Sequence, residues 1–223
     1  MWSTTFERFS PGRIPLVGPV VVAVSDWARP KSGESVMFEH IVLERLSVAH
    51  PGWPLAIYLT FGVATVAAAL VRGAGVATVV TMYAGGWLLW SLVEYVMHRF
   101  SFHHSPKTTR QVAFGYVVHG VHHAFPEDPR RWMIPIAVSI PITALLFALF
   151  YGVGGLAGLA VFGGFVHGYI TYDTIHWAIH RNVFGTRVGR FLRRHHMQHH
   201  YATPHRRFGV STPLWDVFFG TLR

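Results

Sequence analysis

Histidine is the residue type whose number and spacing indicate chemistry. The chain has 16 histidines among 223 residues and no cysteine. Most of the histidines fall into four groups: HRFSFHH at 98–104, HGVHH at 119–123, YDTIHWAIH at 172–180 and RRHHMQHHYATPHRR at 193–207. Neutral imidazole binds iron, zinc, copper and nickel well. The lack of cysteine excludes thiolate zinc sites, iron–sulfur clusters and disulfides. The four groups therefore predict a metal site built from imidazoles.

Helical spacing indicates which histidines within a group can converge. Positions three and four apart share one face of an α-helix. Such spacing holds for His119, His122 and His123, for His196, His199 and His200, and for the pair His176 and His180. His98 and His103 are five apart, which places them on different sides of a regular helix. They require a distorted helix end, or they serve two different metals.

Three acidic residues stand close to these groups in the sequence. Carboxylates commonly orient ligand imidazoles through hydrogen bonds, and Glu94, Asp173 and Asp216 are candidates for that role. A helix cap or a plain structural role is the alternative for Asp173 and Asp216. We expect the neighbouring histidines His104, His195 and His205 to lie outside the site.

Four long apolar segments must position the histidines. A helix needs roughly 20 residues to cross the core of a bilayer, and the segments that meet this length are 54–71, 75–97, 133–151 and 155–172. RGA joins the first pair and GVG joins the second, and both are typical of tight turns. The chain is only 13% charged, against about 25% in soluble proteins. These features predict an all-α integral membrane protein with four transmembrane helices in two hairpins. Buried hairpins in a soluble enzyme are the disfavoured alternative.

The distribution of charge predicts the orientation. All lysines and arginines except Arg72 fall on the face that also carries the histidine groups. The positive-inside rule places this face in the cytosol, as a histidine-rich helical cap. Because the charge follows the membrane topology, we expect no nucleic acid as a partner. The basic residues are nearly all arginine, and we expect a bacterial inner membrane protein. His167 lies inside an apolar segment, where we expect a buried hydrogen bond.

The chain divides into two parts. We predict a cytosolic or interfacial segment at 1–53 and a membrane-embedded domain at 54–223. The apolar stretch 14–25 contains Pro15 and Pro19 and is too short to cross a bilayer easily. We expect an interfacial or re-entrant segment there, with a signal-peptide core as the alternative.

Five motifs in order carry a resemblance to a known family. They are HRFSFH at 98–103, HGVHHAFPEDPRRWMIP at 119–135, YDTIHWAIH at 172–180, RRHHMQHHY at 193–201 and FGVSTPLWDVFFGT at 208–221. The chain resembles the fatty acid hydroxylase/sterol desaturase superfamily of integral membrane histidine-box enzymes. Within that superfamily it is most similar to the fatty acid 2-hydroxylases.

The resemblance implies an O2-dependent lipid hydroxylase with a di-iron centre. The implied cofactor is two iron ions, although zinc can occupy such sites in isolated protein, and no residue beyond the metal ligands is catalytic. The implied ligands are His98, His103, His119, His122, His123, His176, His180, His196, His199 and His200.

The resemblance also implies the partners of the enzyme. The substrate is a membrane lipid or fatty acyl chain, such as a free fatty acid, an acyl lipid or a ceramide-like lipid. Electrons come from an external donor of the cytochrome b5, ferredoxin or reductase type. Fungal and animal members usually carry a fused cytochrome b5 domain, which we do not expect here. Arg130, Arg131 and Arg181 are candidates for contacting the polar end of the substrate, with salt bridges as the alternative.

Other functions remain open at this stage. Within the superfamily they are desaturation, sterol or carotenoid hydroxylation and ether-lipid monooxygenation. Outside it, a metal transporter needs ligands in the middle of the membrane, where only His167 lies. A structural zinc site has four ligands, and ten histidines are too many for one such site, although two sites could be built from them.

Overall fold

The structure is a computed structural model. It describes residues 30, 32–38, 40–50, 52–104 and 106–223, and the apolar stretch 14–25 lies outside them. Regular secondary structure in the described residues is entirely helical. The α-helices are α1 Ile41–Ser47, α2 Gly52–Val71, α3 Val76–Val96, α4 Thr109–Gly115, α5 Val121–Ala124, α6 Ile136–His180, α7 Arg187–Tyr201 and α8 Leu214–Phe218. Two π-helical turns, Met97–Phe102 and Tyr116–Gly120, and a 3₁₀ turn, Pro129–Arg131, complete the list.

Within the described residues, three helical segments are long and apolar enough to cross a membrane. They are Gly52–Val71, Val76–Phe102 and Pro129–His180. Their outer surfaces expose large apolar side chains, including Val63 at 54% and Leu145 at 71% of the side-chain reference area. Such surfaces are costly in water and favourable against lipid tails. The prediction of an all-helical protein with membrane-spanning helices is confirmed.

Helix α6 folds back on itself. Its path breaks at Gly155, whose φ of 54° and ψ of −128° favour glycine over residues with a side chain. The ring centroids of Phe147 and Phe162 are 5.4 Å apart. Fifteen residues of continuous helix would separate them by about 22 Å. The two halves of α6, before and after Gly155, therefore lie against each other.

Glycines let α3 and α6 approach until their backbones touch. A Cβ atom on Gly164 would lie 1.9 Å from the carbonyl oxygen of Tyr83, and one on Gly86 would lie 2.0 Å from that of Val161. Close backbone approach at small residues is a common way for helices to associate in membranes. The contact fixes how α3 and α6 present their histidine-bearing ends.

His167 ties three helices together inside the bundle. Its Nε2 lies 3.2 Å from the carbonyl oxygen of Leu59 on α2. Its Nδ1 lies 2.8 Å from the hydroxyl of Tyr83 on α3. Because a carbonyl only accepts, Nε2 donates to Leu59 and Nδ1 accepts from Tyr83. The predicted internal hydrogen bond of His167 is confirmed.

Replacing Gly164 by alanine tests the α3–α6 contact. We expect Gly164→Ala to lower the free energy of unfolding by about 1–3 kcal/mol, because the methyl group forces two backbones apart. The control is Gly154→Ala, since a Cβ there meets no atom within 4 Å. Thermal unfolding in detergent measures both variants. Equal midpoints for the two variants would contradict the packing described here.

Candidate metal centre

The structure gathers the ten predicted histidines into two groups of five. Cluster A consists of His98, His103, His119, His123 and His199, and cluster B consists of His122, His176, His180, His196 and His200. Within each cluster the candidate ligand atoms all lie within 4.8 Å of one another. All members are buried except His180, which is half-buried.

The closely spaced histidines of one helix divide between the two clusters. His119 and His123, four residues apart, reach cluster A, whereas His122 between them reaches cluster B. On α7 the pattern is reversed: His199 joins cluster A, and the histidines at 196 and 200 join cluster B. Rings one helical turn apart point the same way, and the third ring is rotated toward the neighbouring cluster. The rings of His123 and His200 stack across the boundary at 4.2 Å.

A π-helical turn brings His98 and His103 together. The N–H of His103 donates to the carbonyl of His98 at 3.1 Å, a bond over five residues. A π-turn places residues five apart above one another, which an α-helix does not. The two rings lie 4.9 Å apart, in the same cluster. Of the two explanations that their spacing left open, the distorted helix end is the one observed.

The spacing of the ring nitrogens fits metal coordination. In cluster A the Nε2 atom of His119 lies 3.1 Å from that of His98 and 3.0 Å from that of His123. In cluster B the Nε2 atoms of His122 and His200 are 3.0 Å apart. Two nitrogens bonded to one metal at about 2.1 Å and at right angles are about 3.0 Å apart. Both clusters thus present five nitrogens at the separations that a shared metal requires.

Backbone carbonyls turn the lone pairs of three rings inward. Nδ1 of His98 donates to the carbonyl of Phe208 at 2.5 Å, and Nδ1 of His199 donates to that of Arg206 at 2.6 Å. In cluster B, Nδ1 of His176 donates to the carbonyl of Trp132 at 2.9 Å. A ring whose Nδ1 carries the proton has a free lone pair on Nε2, the atom that faces the cluster.

Burial keeps the rings neutral. Burial, followed by repulsion from His98 and His176, lowers the pKa of His123 to about 3. Five further rings have a pKa well below the usual value, first because burial removes water and then because neighbouring histidines repel a charge. They are His119, His122, His196, His199 and His200. Neutral imidazole is the form that binds a metal. The clusters are therefore in the ligand form at neutral pH.

The C-terminal segment 206–221 is held by two buried carboxylates. Glu94 accepts from the backbone N–H of Val210 at 2.6 Å and from the N–H of Ser211 at 2.9 Å. Asp216 accepts from the N–H of Phe208 at 2.9 Å and from the hydroxyl of Thr221 at 2.7 Å. These bonds fix the segment whose carbonyls orient two rings of cluster A.

His195 completes the support of Asp216. Its Nε2 lies 3.1 Å from the Asp216 carboxylate, and both side chains are buried. Burial by itself raises the pKa of Asp216, but hydrogen bonds from His195, Thr221 and the backbone hold it below the usual value. The carboxylate thus joins α7, which carries histidines of both clusters, to the segment that orients cluster A.

The N-terminal part of the described chain supports cluster B. The guanidinium of Arg131 donates to Ser35 Oγ at 2.8 Å, to Ser47 and to the carboxylate of Glu44. Burial alone would raise the pKa of Asp128, but hydrogen bonds from Arg130 and Ser35 hold it at about 2. This network fixes residues 128–131, next to the carbonyl that orients His176.

A search with models of protein families identifies the chain. The fatty acid hydroxylase model matches residues 83–221, which include all ten clustered histidines. The chain belongs to the fatty acid hydroxylase family. The predicted family and the prediction of an oxidoreductase of the hydroxylase type are confirmed.

Known relatives of the hydroxylase are 2-hydroxylases by name. Dihydroceramide fatty acyl 2-hydroxylase FAH1 of Arabidopsis thaliana is 31% identical over 74% of this chain and 70% of its own length. Fatty acid 2-hydroxylase of Rattus norvegicus is 35% identical over 63% of this chain and 39% of its own length. The hydroxylase thus spans less than half of the rat protein that it matches.

A solved structure has the same fold. It is that of full-length scs7p, in which only the hydroxylase domain is visible. The TM-score is 0.82 with 25% sequence identity, and the match covers 99% of this chain and 89% of the other.

Several roles expected from the sequence differ in the structure. Glu94 does not contact a ligand ring, since it binds the backbone at Val210 and Ser211. Arg130 and Arg131 are engaged in the network with Asp128, Glu44 and Ser35, so the salt-bridge alternative holds for them.

His195 lies outside both clusters, as expected, but it is buried and its Nε2 contacts the carboxylate of Asp216. A helical projection of α7 would have predicted that His195 is buried, because it falls on the same side of the helix as His199. His104 does lie outside the clusters, where its Nδ1 is 2.9 Å from the carbonyl of Ser101, and His205 is exposed.

Substituting Asp216 tests the support of cluster A. We expect Asp216→Asn to lower the free energy of unfolding by about 2–3 kcal/mol, because hydrogen bonds to a buried charge are lost. Exposed Glu127 provides the control, as Glu127→Gln makes the same chemical change on the surface. Thermal unfolding of the solubilised variants measures the effect. If both variants unfolded together with the wild type, the role of Asp216 would be refuted.

Acid should destabilise the metal-free protein through its buried histidines. Unfolded histidines titrate near pH 6.5, whereas the folded rings stay neutral to lower pH. Below that pH the unfolded chain binds more protons, so stability falls with pH by about 1.4 kcal/mol per histidine per pH unit. The thermal midpoint should therefore fall steeply between about pH 7.5 and pH 5.5, and less steeply in His122→Asn. A constant midpoint over this range would contradict the neutral clusters.

Proposed function

We propose that the protein hydroxylates carbon 2 of a fatty acyl chain, using O2, at a di-iron centre held by clusters A and B. The observation that carries the proposal is the pair of adjacent clusters, in each of which five imidazoles bring one ring nitrogen apiece within 4.8 Å of the others. The family and the names of the relatives support the reaction type. The acyl group belongs to a free fatty acid, an acyl lipid or a ceramide-like lipid.

The donor set suits two iron ions, with the ten histidines of the two clusters as ligands. Imidazole binds iron well, and zinc is the alternative occupant in isolated protein. Iron supplies the dioxygen binding and the redox chemistry that oxidation of an unactivated C–H bond requires. Ligands without charge leave the full positive charge of the metals in place, which favours anionic oxygen species.

The break in α6 supports a topology of four transmembrane helices. Taking the two halves of α6 as separate spans gives four transmembrane helices in two hairpins, with α2 and α3 as the first. Both hairpins then start and end on the face of the clusters. The basic residues on that face support a cytosolic active site, and the membrane is the bacterial inner membrane. Residues 1–53 form a cytosolic or interfacial segment before the membrane-embedded domain 54–223.

An apolar cavity provides a place for the acyl chain. It has a volume of about 60 Å³ and lies between α3 and α6, lined by Trp90, Ile142, Leu146, Phe165 and Tyr169 among others. Its walls are apolar, as binding of a hydrocarbon chain requires. The chain would extend from this cavity toward the clusters, and bilayer lipid would enter between the helices.

Buried polar groups lie beside the cavity, because Trp90 and Tyr169 line it and Asp173 follows Tyr169 by one helical turn. Trp90 Nε1 has no hydrogen-bond partner among the described residues, and the buried Tyr169 hydroxyl and Asp173 carboxylate interact with each other. Asp173 lies one helical turn before His176, and the rings of Trp90 and Tyr169 are 5.1 Å apart. Buried polar groups generally have partners. We assign the polar end of the lipid as theirs, which would place carbon 2 close to the clusters.

The protein's own contribution is positioning. The helices exclude water from the clusters, and the carbonyls of Phe208, Arg206 and Trp132 hold three rings in orientation. The cavity holds the acyl chain so that one C–H bond is presented. No side chain is required as a nucleophile.

The test is reconstitution of activity with iron. Purified protein is loaded anaerobically with ferrous iron, supplied with dithionite and a ceramide or fatty acid mixture, and exposed to O2. We expect a lipid product with one added oxygen at carbon 2, identified by fragmentation mass spectrometry. Products that lack two hydrogens, or that carry oxygen at another position, would replace the proposal by desaturation or by another hydroxylation. Absence of any oxidised lipid would refute it.

Ligand variants test the metal assignment in the same preparation. We expect His122→Ala to lose iron from cluster B and His199→Ala to lose it from cluster A, so each should hold about half the iron of the wild type and no activity. The control is His104→Ala, which removes a histidine outside both clusters. Iron is counted by elemental mass spectrometry. Full iron content with activity in both ligand variants would break the assignment.

A further inference from the structure

A groove runs along the outer side of α7. Its volume is about 560 Å³, and its lining includes Arg190, Arg193, Arg194, Met197, Gln198 and Tyr201. The groove is open to the surface and lies on the side of α7 that faces away from the clusters. Neither the binding of metal nor the placement of the acyl chain uses it.

The groove is strongly basic. The stretch 174–215 contains seven arginines and no aspartate or glutamate. Among the described residues, no carboxylate forms an ion pair with the groove arginines at 190, 193 and 194. Among the described residues, the exposed Glu127 lies near enough to act on Tyr201, whose pKa is raised first by burial and then by the charge of Glu127. Positive charge without internal compensation attracts acidic partners and speeds their association.

Helix α7 also connects this surface to the clusters. Its inner side carries His196, His199 and His200, which belong to both clusters. At its end the ring of Tyr201, which lines the groove, lies 6.0 Å from the ring of His200. A helix with its side chains is about 10–12 Å across. A redox group held in the groove would therefore lie about one helix diameter from the ligand rings.

We propose that this groove is the docking site of an acidic protein that delivers single electrons to the metal centre. The inference rests on the proposed hydroxylase function. That reaction converts one C–H bond and one O2 into a C–OH group and one water, and it consumes two protons and two electrons. The acidic donor supplies the electrons in two encounters and is oxidised by one electron in each.

The shape and composition of the groove favour a protein over lipid head groups as its occupant. Arginine, tyrosine and methionine are enriched at protein interfaces. Exposed Phe191 lies beside the arginines on the outer side of α7, and Met197 and Gln198 add apolar and amide contacts within the groove. Contact of the arginines with anionic lipid is the alternative that the experiment must separate.

The first measurement is binding, which requires no catalysis. Metal-free protein is placed in nanodiscs of phosphatidylcholine, and an acidic plant-type ferredoxin is titrated in while fluorescence anisotropy is recorded. We expect Arg190→Glu/Arg194→Glu to weaken binding by about tenfold or more at about 0.1 M salt, where charges interact over about 10 Å. The difference should shrink toward about 1 M salt.

A double variant with the same change of charge provides the control. Lys107 and Arg110 are exposed on the same face of the chain and do not line the groove. Lys107→Glu/Arg110→Glu should therefore bind ferredoxin nearly as the wild type does. An equal loss of ferredoxin affinity in both double variants would show that only net charge matters, and it would overturn the proposal. Absence of ferredoxin binding to the wild type would also overturn it.

The second measurement is turnover with two electron sources. With ferredoxin, its reductase and NADPH, Arg190→Glu/Arg194→Glu should raise the KM for ferredoxin by about tenfold. With dithionite and a small neutral mediator, its rate of lipid hydroxylation should equal that of the wild type. An unchanged KM for ferredoxin would overturn the docking site. So would a defect that appears only in vesicles containing phosphatidylglycerol, because it would assign the arginines to lipid.

The two proposals fail in different ways. If the wild type forms no hydroxylated lipid with dithionite, the hydroxylase function fails. If the wild type forms product with dithionite, but Arg190→Glu/Arg194→Glu changes neither the binding of ferredoxin nor its KM, only the docking site fails.

Discussion

The structure depends on one requirement: each of the ten clustered imidazoles, nine of them buried, must keep a lone pair on the atom that faces its cluster. An imidazole in water exchanges its proton freely between states, and a ring in a dry site is fixed by the partner of its other nitrogen. Here the partners identified are backbone carbonyls, those of Phe208, Arg206 and Trp132. The position of those carbonyls is therefore as important to the site as the histidines themselves.

This requirement explains why charged residues outside the clusters are buried. Glu94 and Asp216 hold the segment that supplies carbonyls to cluster A, and the network around Arg131 and Asp128 braces the segment that supplies one to cluster B. Removing a partner from a buried charge costs more than the bond itself is worth. The two clusters are thus stabilised by different ends of the chain, while α7 contributes rings to both.

The sequence predicted much of this because spacing and apolar length are local properties. The ten histidines that converge are the ten that the family resemblance implied. The distorted helix end at His98 and His103 was one of the two explanations that their separation left open. The sequence could not predict that His122 joins a different cluster from His119 and His123, because this depends on the position of the second cluster in the fold. The carbonyl partners could not be read either, since every residue has a carbonyl. Glu94 was expected to orient His98 because it lies one helical turn before it in the sequence. Its side chain instead binds the backbone of the C-terminal segment.

Helix α7 shows why histidines and arginines share one stretch of sequence. A helix of this kind must bury one face among neutral imidazoles and keep the opposite face in contact with water or a partner. Arginine suits the outer face because it stays charged at any physiological pH, so it does not compete for the protons of the buried rings. Its long apolar stem also covers the helix beneath the charge. The same geometry that dries the clusters on one side of α7 leaves a basic surface on the other, one helix diameter away.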